Sequence, residues 1–260
     1  MITCRSSEEL AKLRAANQLV ARILDELRRL VVPGATTAGI DAEAERLVVE
    51  AGAQPAFKGY RGFPATICAS RNHEVVHGIP SAEPLVEGDI LSIDMGVKLG
   101  GFYGDSAVTV PVGAVSVETQ RLLDVTEASL YKGIDAVRPG ARVSDIGHAV
   151  QAYVEAQGFT VVREFVGHGI GTRLHEEPQI PNYGPAGRGP RLAEGMVLAI
   201  EPMVNAGRAA VRVLSDGWTA ITVDGSRSAH CDHTGAVTAE GAEILTLRPA
   251  PAVVGEGVSC

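Results

Sequence analysis

The sequence predicts an α+β protein. Paired helical stretches recur, turn signals crowd the second half, and strands do not alternate one by one with helices as they would in a doubly wound sheet. In chain order, Ser7 with Glu8 and Glu9 opens a helix whose apolar positions Leu10, Leu13, Leu19, Ile23, Leu27 and Leu30 recur at helical intervals, and Pro33-Gly34 ends it. A second helix spans 37–51, with Ile40, Ala44, Leu47 and Val48 on one face and Gly52 as its stop. The unit then recurs. Residues 122–137 read as a helix before Pro139-Gly140, and 143–157 as another stopped by Gly158. Pro33/Pro139, Gly34/Gly140, Ala35/Ala141, Ile40/Ile146 and Gly52/Gly158 all differ by 106. Agreement in register and in helix length favours a duplication over shared punctuation, and two similar halves would enclose a site between them.

Between the helix pairs lies a hairpin. Residues 89–97 and 102–110 are apolar and β-rich around the turn Lys98-Leu99-Gly100-Gly101. With Leu99-Gly100 as the two-residue loop, partner numbers sum to 199, which sets Asp94 opposite Asp105 with Cβ atoms about 4.5–5.5 Å apart. Two carboxylates so close repel and raise one pKa, unless a cation lies between them. Alone, the pair could equally be a solvated hairpin whose acids discourage edge pairing. The second half is expected to close as a meander: strands at 196–204, 211–214, 218–223, 229–238 and 243–247, with turns at Asp216-Gly217 and Asp224-Gly225.

With 23 basic against 31 acidic residues the net charge is −8, so no basic nucleic-acid footprint is expected. The four cysteines, Cys4, Cys68, Cys231 and Cys260, have neither Cys-x-x-Cys nor framework spacing, which fits a reducing, cytoplasmic setting. The charged first turns lack a signal-peptide core, and no apolar run reaches membrane-span length, so no membrane association is expected.

Downstream residues decide the meaning of the hairpin acids. His168 stands between glycines in Gly167-His168-Gly169-Ile170-Gly171, where backbone approaches closely and bulk is small, and His175 follows seven residues later. Glu201 interrupts an apolar strand, and a buried Glu is rare unless it is paired or bound to metal. Asp232 adds a fourth carboxylate. Four carboxylates and an imidazole form a hard, oxygen-rich set suited to a pair of divalent ions such as Mn²⁺, Fe²⁺, Co²⁺ or Zn²⁺, which can activate water at neutral pH. The loop Gly59-Tyr60-Arg61-Gly62-Phe63-Pro64 can serve as lid or as core, and Trp218 is open to the same two readings.

Taken in order, Asp94, the G-D-S around Asp105, G-H-G-I-G around His168, L-H-E-E-P around His175, A-I-E-P-M-V around Glu201 and the D-H-T around Asp232 resemble the methionine aminopeptidases, type I by length. The resemblance runs from about Glu8 to Leu247. It implies the pita-bread (creatinase/aminopeptidase) fold, a pseudo-twofold α+β domain, and a metalloaminopeptidase that removes the initiator methionine when the second residue is small. With no composition shift or linker along the chain, a single catalytic domain over 1–260 is expected, with an ordered core from about 8 to 248 and, from its Gly, Pro and small residues, a flexible tail over 249–260. By matching motif, Asp94, Asp105, His168, Glu201 and Asp232 would hold two divalent ions. His77 would contact the scissile amide nitrogen, His175 would polarise the carbonyl, and Glu201 would act as general base toward the attacking water. The methionine pocket would fall on Phe57, Tyr60, Phe63, Cys68 and Trp218, with Leu174 adjoining. Expected partners are peptide and nascent-chain N-termini, with the ribosome as a possible site of action, and the chain is expected to be a monomer.

One departure stands out. The family has a glutamate in a segment resembling S-A-Q-F-E-H-T, where this chain has Ser228-Ala229-His230-Cys231-Asp232-His233-Thr234. The acid is one methylene shorter, which puts its reach to a second ion in question. His230 and Cys231 are added donors, although Cys231, as a strand neighbour, should face away. Two other readings compete: an Xaa-Pro peptidase, expected to carry a further N-terminal domain, and a metal-poor protein of the same fold that only binds peptides.

Overall fold

Helix α1 (Ser7–Arg29) is capped one residue earlier than the sequence suggests. The Ser6 hydroxyl accepts the Glu9 N–H, and the Glu9 carboxylate accepts the Ser6 N–H at 2.9 Å, a reciprocal capping box. Helix α2 (Thr37–Glu50) starts at the Thr36 cap, whose hydroxyl accepts the Gly39 N–H. Helix α3 (Val117–Asp135) begins five residues before the expected 122, because Ser116 caps it by accepting the Thr119 N–H. Helix α4 (Val143–Ala156) follows as read. The structure, a computed structural model, describes residues 2–247, so the expected tail lies outside the described residues.

The two helix pairs repeat in their bonding as well as in their lengths. Gly34 N–H donates to Leu85 O as Gly140 N–H does to Leu192 O, and Leu85 N–H returns to Ala35 O as Leu192 N–H does to Ala141 O. At the far ends of α2 and α4, Ala53 N–H reaches Val48 O and Phe159 N–H reaches Val154 O. Equivalent bonds at equivalent positions are what an internal duplication leaves behind.

A nine-stranded antiparallel sheet carries the helices on one face. Its main path runs Gln54–Pro55, Ile90–Leu99, Phe102–Pro111, Asp232–Thr238, Val197–Ile200, Gly167–Gly169 and Glu176–Ile180, with Ile67–Arg71 paired to Ile90–Leu99 and Gly241–Ile244 paired to Asp232–Thr238. Strand periodicity divides the side chains. Leu91, Ile93, Met95 and Val97 pack with Leu19, Val20, Ile23 and Leu27 of α1, while Leu198, Ile200 and Cys231 pack with Leu130, Ile134 and Ile146 of α3 and α4. Each fully buried Leu or Ile contributes roughly 1.5–3 kcal/mol, so truncation along this seam would loosen the sheet from its helices. The acids alternate with these residues and therefore face the other way.

Five expectations are corrected. The hairpin loop is Gly100-Gly101, not Leu99-Gly100: Leu99 pairs with Phe102 and partner numbers sum to 201, so Asp94 faces Ala107 and Asp105 faces Gly96. Both loop residues have positive φ, 57° and 87°, which two glycines adopt without strain and Leu99 would not. The strand expected over 196–204 is two, Val197–Ile200 and Met203–Asn205, in different sheets. The break falls at Glu201-Pro202, where proline has no N–H for a ladder. Likewise 229–238 divides at Cys231 into Ser228–His230 and Asp232–Thr238. The meander dissolves with them, since Val211–Val213 and Ala220–Thr222 form a small sheet with Glu74–Val76, and Ser228–His230 pairs with Met203–Asn205 in another. The last strand is Gly241–Ile244, not 243–247.

Candidate active site

The corrected registers set the acids in two adjacent rows on the helix-free face. Asp94, Ala107 and Asp232 lie in one row across three strands, and Glu201 extends it one residue past Ile200, the partner of His233. In the next row are Gly96, Asp105, Thr234, Ala199 and His168. Asp94 and Asp105 are thus diagonal neighbours, at the wider spacing of about 7–8 Å between such positions. Every row position that is not a candidate donor is Gly, Ala or Thr, which leaves the space above the sheet open.

His168 is positioned from both sides. A Cβ on Gly167 would come 2.4 Å from Ala199 O and one on Gly169 2.3 Å from Glu177 O, so only glycine lets its flanking strands close on it. Its Nδ1 lies 2.9 Å from Gly169 O, which places the proton on Nδ1 and turns the Nε2 lone pair inward. Nε2 stands 3.5 Å from both Asp105 Oδ2 and Glu201 Oε1. Burial holds His168 down to about 4, so the ring is neutral. Burial, reinforced by the charge of Asp105, pushes Asp94, Glu201 and Asp232 well above the carboxylate range, and burial takes Asp105 to about 8. Asp105 Oδ1, Asp232 Oδ1 and both ring nitrogens of His230 are buried without a hydrogen-bond partner.

These rows floor a pocket of about 220 Å³. All the residues that the family resemblance assigns to the site line it: Asp94, Asp105, His168, Glu201 and Asp232 below, His77 and His175 at the side, and Phe57, Tyr60, Phe63, Cys68, Leu174 and Trp218 forming an aromatic, sulfur-containing wall. Phe63 and Trp218 meet edge to face at 5.1 Å. Tyr60 Oη lies 2.8 Å from His175 Nδ1, and the His168 and His175 ring centroids are 4.3 Å apart. His77 adopts φ 60°, a region uncommon for residues other than Gly and entered most often by Asn, Asp and His, and its ring lies edge-on to Phe165 at 5.3 Å. Burial lowers both His77 and His175 to about 4. Cys231 packs behind the sheet, as strand alternation requires.

The pocket also holds Val76, Phe165, Val166, Met203 and Arg61, which sequence reasoning missed. One of these was within reach, because Met203 shares the parity of Glu201 in the strand expected over 196–204. The chain also carries a second internal repeat that links the two halves of the site. Leu85-Val86-Glu87-Gly88-Asp89-Ile90-Leu91-Ser92-Ile93-Asp94 returns as Leu192-Ala193-Glu194-Gly195-Met196-Val197-Leu198-Ala199-Ile200-Glu201, offset by 107, so Asp94 and Glu201 are equivalents in the two halves.

Among the described residues no three of these donors converge as a finished ion cage. Their chemistry nonetheless fits divalent ions. The set is oxygen-rich with unmatched buried atoms, and donors about 2.0–2.1 Å from one tetrahedral ion stand about 3.3–3.4 Å apart, close to the 3.5 Å separations at His168.

A pita-bread α+β fold enclosing a pocket floored by carboxylates and imidazole is that of a metal-dependent peptidase. The chain belongs to metallopeptidase family M24, whose profile matches residues 11–239, and within it to the methionine aminopeptidases. It is 54% identical over 246 residues to methionine aminopeptidase 1 of Bacillus subtilis (strain 168), covering 95% of this chain and 99% of that one. The crystal structure of methionine aminopeptidase from Rickettsia prowazekii superposes with a TM-score of 0.94 at 44% identity, over 95% of this chain and all of that chain. That of the Thermotoga maritima enzyme gives 0.93 at 47%, over 95% and 99%.

Proposed function

We propose that this chain, as a single catalytic unit, hydrolyses the bond after an N-terminal methionine when the next residue is small. The observation that carries the reading is the joining, in one pocket, of an acidic floor with a short aromatic and sulfur-lined wall that suits a methionine side chain. Asp94, Asp105, His168, Glu201 and Asp232 would hold two divalent ions of the Co²⁺, Mn²⁺, Fe²⁺ or Zn²⁺ class. When bound, such a pair polarises the substrate and activates a water at neutral pH.

The remaining work falls to side chains. Phe57, Tyr60, Phe63, Cys68, Leu174 and Trp218 exclude water from the methionine side chain and fix its direction. With Tyr60 Oη donating to Nδ1, the neutral His175 carries its proton on Nε2 and can donate to the scissile carbonyl oxygen. Glu201 accepts a proton from the attacking water as its oxygen bonds to the carbonyl carbon. As the C–N bond breaks, His77 contacts the amide nitrogen and helps deliver the proton with which the amine departs.

Substrates are peptide and nascent-chain N-termini, met in the cytoplasm by a monomer working at or near the ribosome. No helix among the described residues is long and apolar enough to cross a membrane. The test is hydrolysis of Met-Ala-Ser, Met-Leu-Ser and Ala-Pro peptides with and without chelator. Metal-dependent cleavage confined to Met-Ala-Ser is expected; equal cleavage of Met-Leu-Ser, preference for Ala-Pro, or full turnover after exhaustive metal removal would refute it.

A further inference from the structure

The least explained side chain in the pocket is His230. It is 2% exposed, lines the same floor as the acids, and has no hydrogen-bond partner at either ring nitrogen. An unpaired polar atom in such a place costs about 1–3 kcal/mol, so a histidine kept only for packing would be a poor choice. Its backbone is held firmly: Thr109 Oγ1 donates to His230 O at 2.7 Å and accepts from His230 N–H at 2.8 Å, and Ser92 Oγ lies 2.8 Å from the same hydroxyl. These bonds fix the backbone from which the buried ring enters the pocket.

Its Nε2 lies 3.9 Å from Glu201 Oε2, while the other oxygen, Oε1, is the one facing His168. That separation is too long for a hydrogen bond. It exceeds the spacing of two donors on one tetrahedral ion by about 0.5 Å, a closure that one side-chain rotation supplies. Two residues on, Asp232 carries its own unpartnered Oδ1.

Resting on the reading of this pocket as a metallopeptidase site, we infer that His230 is an additional nitrogen donor to the metal centre. It takes up, beside Glu201, coordination that the short Asp232 side chain leaves open. An imidazole in place of an oxygen donor shifts preference from Mn²⁺ toward Zn²⁺ and Co²⁺.

The test compares wild type, His230→Gln, Asp232→Glu and the double variant. X-ray absorption at the zinc edge counts imidazoles in the fully loaded protein, and competition against a chelator measures Zn²⁺ and Mn²⁺ affinities. The wild type is expected to show both His168 and His230 on zinc. His230→Gln should lose one imidazole and bind Zn²⁺ about tenfold or more weakly, with a smaller change for Mn²⁺; adding Asp232→Glu should restore affinity without restoring the imidazole. An unchanged imidazole count with an unchanged Zn²⁺-to-Mn²⁺ ratio in His230→Gln overturns the inference. If that variant does not fold, the wild-type count decides alone, because zinc held with His168 as the lone imidazole also overturns the inference while leaving the metallopeptidase reading intact. Failure of the wild type to bind any of these ions overturns both.

Discussion

His77 occupies a left-handed backbone conformation that costs roughly 1–3 kcal/mol for an ordinary side chain. Strain of this kind persists where the surroundings need the side chain in one place, here edge-on to Phe165 and facing the floor. Asparagine tolerates the same φ without offering an imidazole. His77→Asn should therefore melt within about 1 kcal/mol of wild type and lower kcat by about 10²–10⁴-fold, with metal content unchanged. Metal loss in that variant would place His77 among the ligands instead. Tyr60→Phe isolates the tautomer of His175: loss of one hydrogen bond worth about 1 kcal/mol should cost roughly five- to tenfold in kcat, measured under saturating Met-Ala-Ser. An unchanged kcat would mean that Tyr60 serves the pocket wall alone.

Strands deliver the candidate donors, and their tolerances are tight. Gly169→Ala would thrust a methyl group to 2.3 Å from Glu177 O, a backbone atom that cannot rotate aside. The expected result is a loss of about 1–3 kcal/mol in the chelated protein together with weaker ion binding, because His168 moves with its strand. Gly140→Ala is the control: its φ of 86° is strained for alanine, yet nothing lies within 4 Å, so stability should fall while ion affinity holds. Equal ion affinity in Gly169→Ala and Gly140→Ala would show that the strand spacing does not set the site. At this scale the sequence was only partly legible. Helix spans came close because caps and Pro-Gly stops act locally. The hairpin register did not, because Leu99-Gly100 and Gly100-Gly101 differ by one residue and only the positive φ of both loop positions separates them.

The whole molecule gathers four carboxylates that repel one another. Each has a folded pKa above its unfolded value, so the unfolded chain gives up these protons first as pH rises, and folding stability is lost from about pH 4 through the value of about 8 at Asp105. The buried histidines act in the opposite sense, but their contribution is lost only as pH falls below about 6.5 toward 4. Between about pH 6.5 and 8.5 the acids act alone. The melting temperature of the chelated protein should fall across that window, and the gain on adding Mn²⁺ or Co²⁺ should grow with pH. A flat profile would mean that the acids are solvated and the site is not closed.

Much of this protein was set by its sequence alone: the α+β class, the paired helices, the candidate donors that share one pocket, and the sheet face on which Asp94 and Asp105 lie together. Face survives a register error of two because strand side chains repeat every second residue. Tertiary structure decided what depends on distant partners. It placed Asp94 beside Ala107 and in line with Asp232, and it split two apparent strands at Glu201-Pro202 and Cys231 so that each half joined a different sheet. It also brought Phe165 and an unpartnered His230 into the pocket. Local propensity reports how a segment can fold, whereas the choice of neighbour is settled by packing across the whole chain. In this fold the site is made by five strands, and only two of them, the hairpin pair, are neighbours in the sequence.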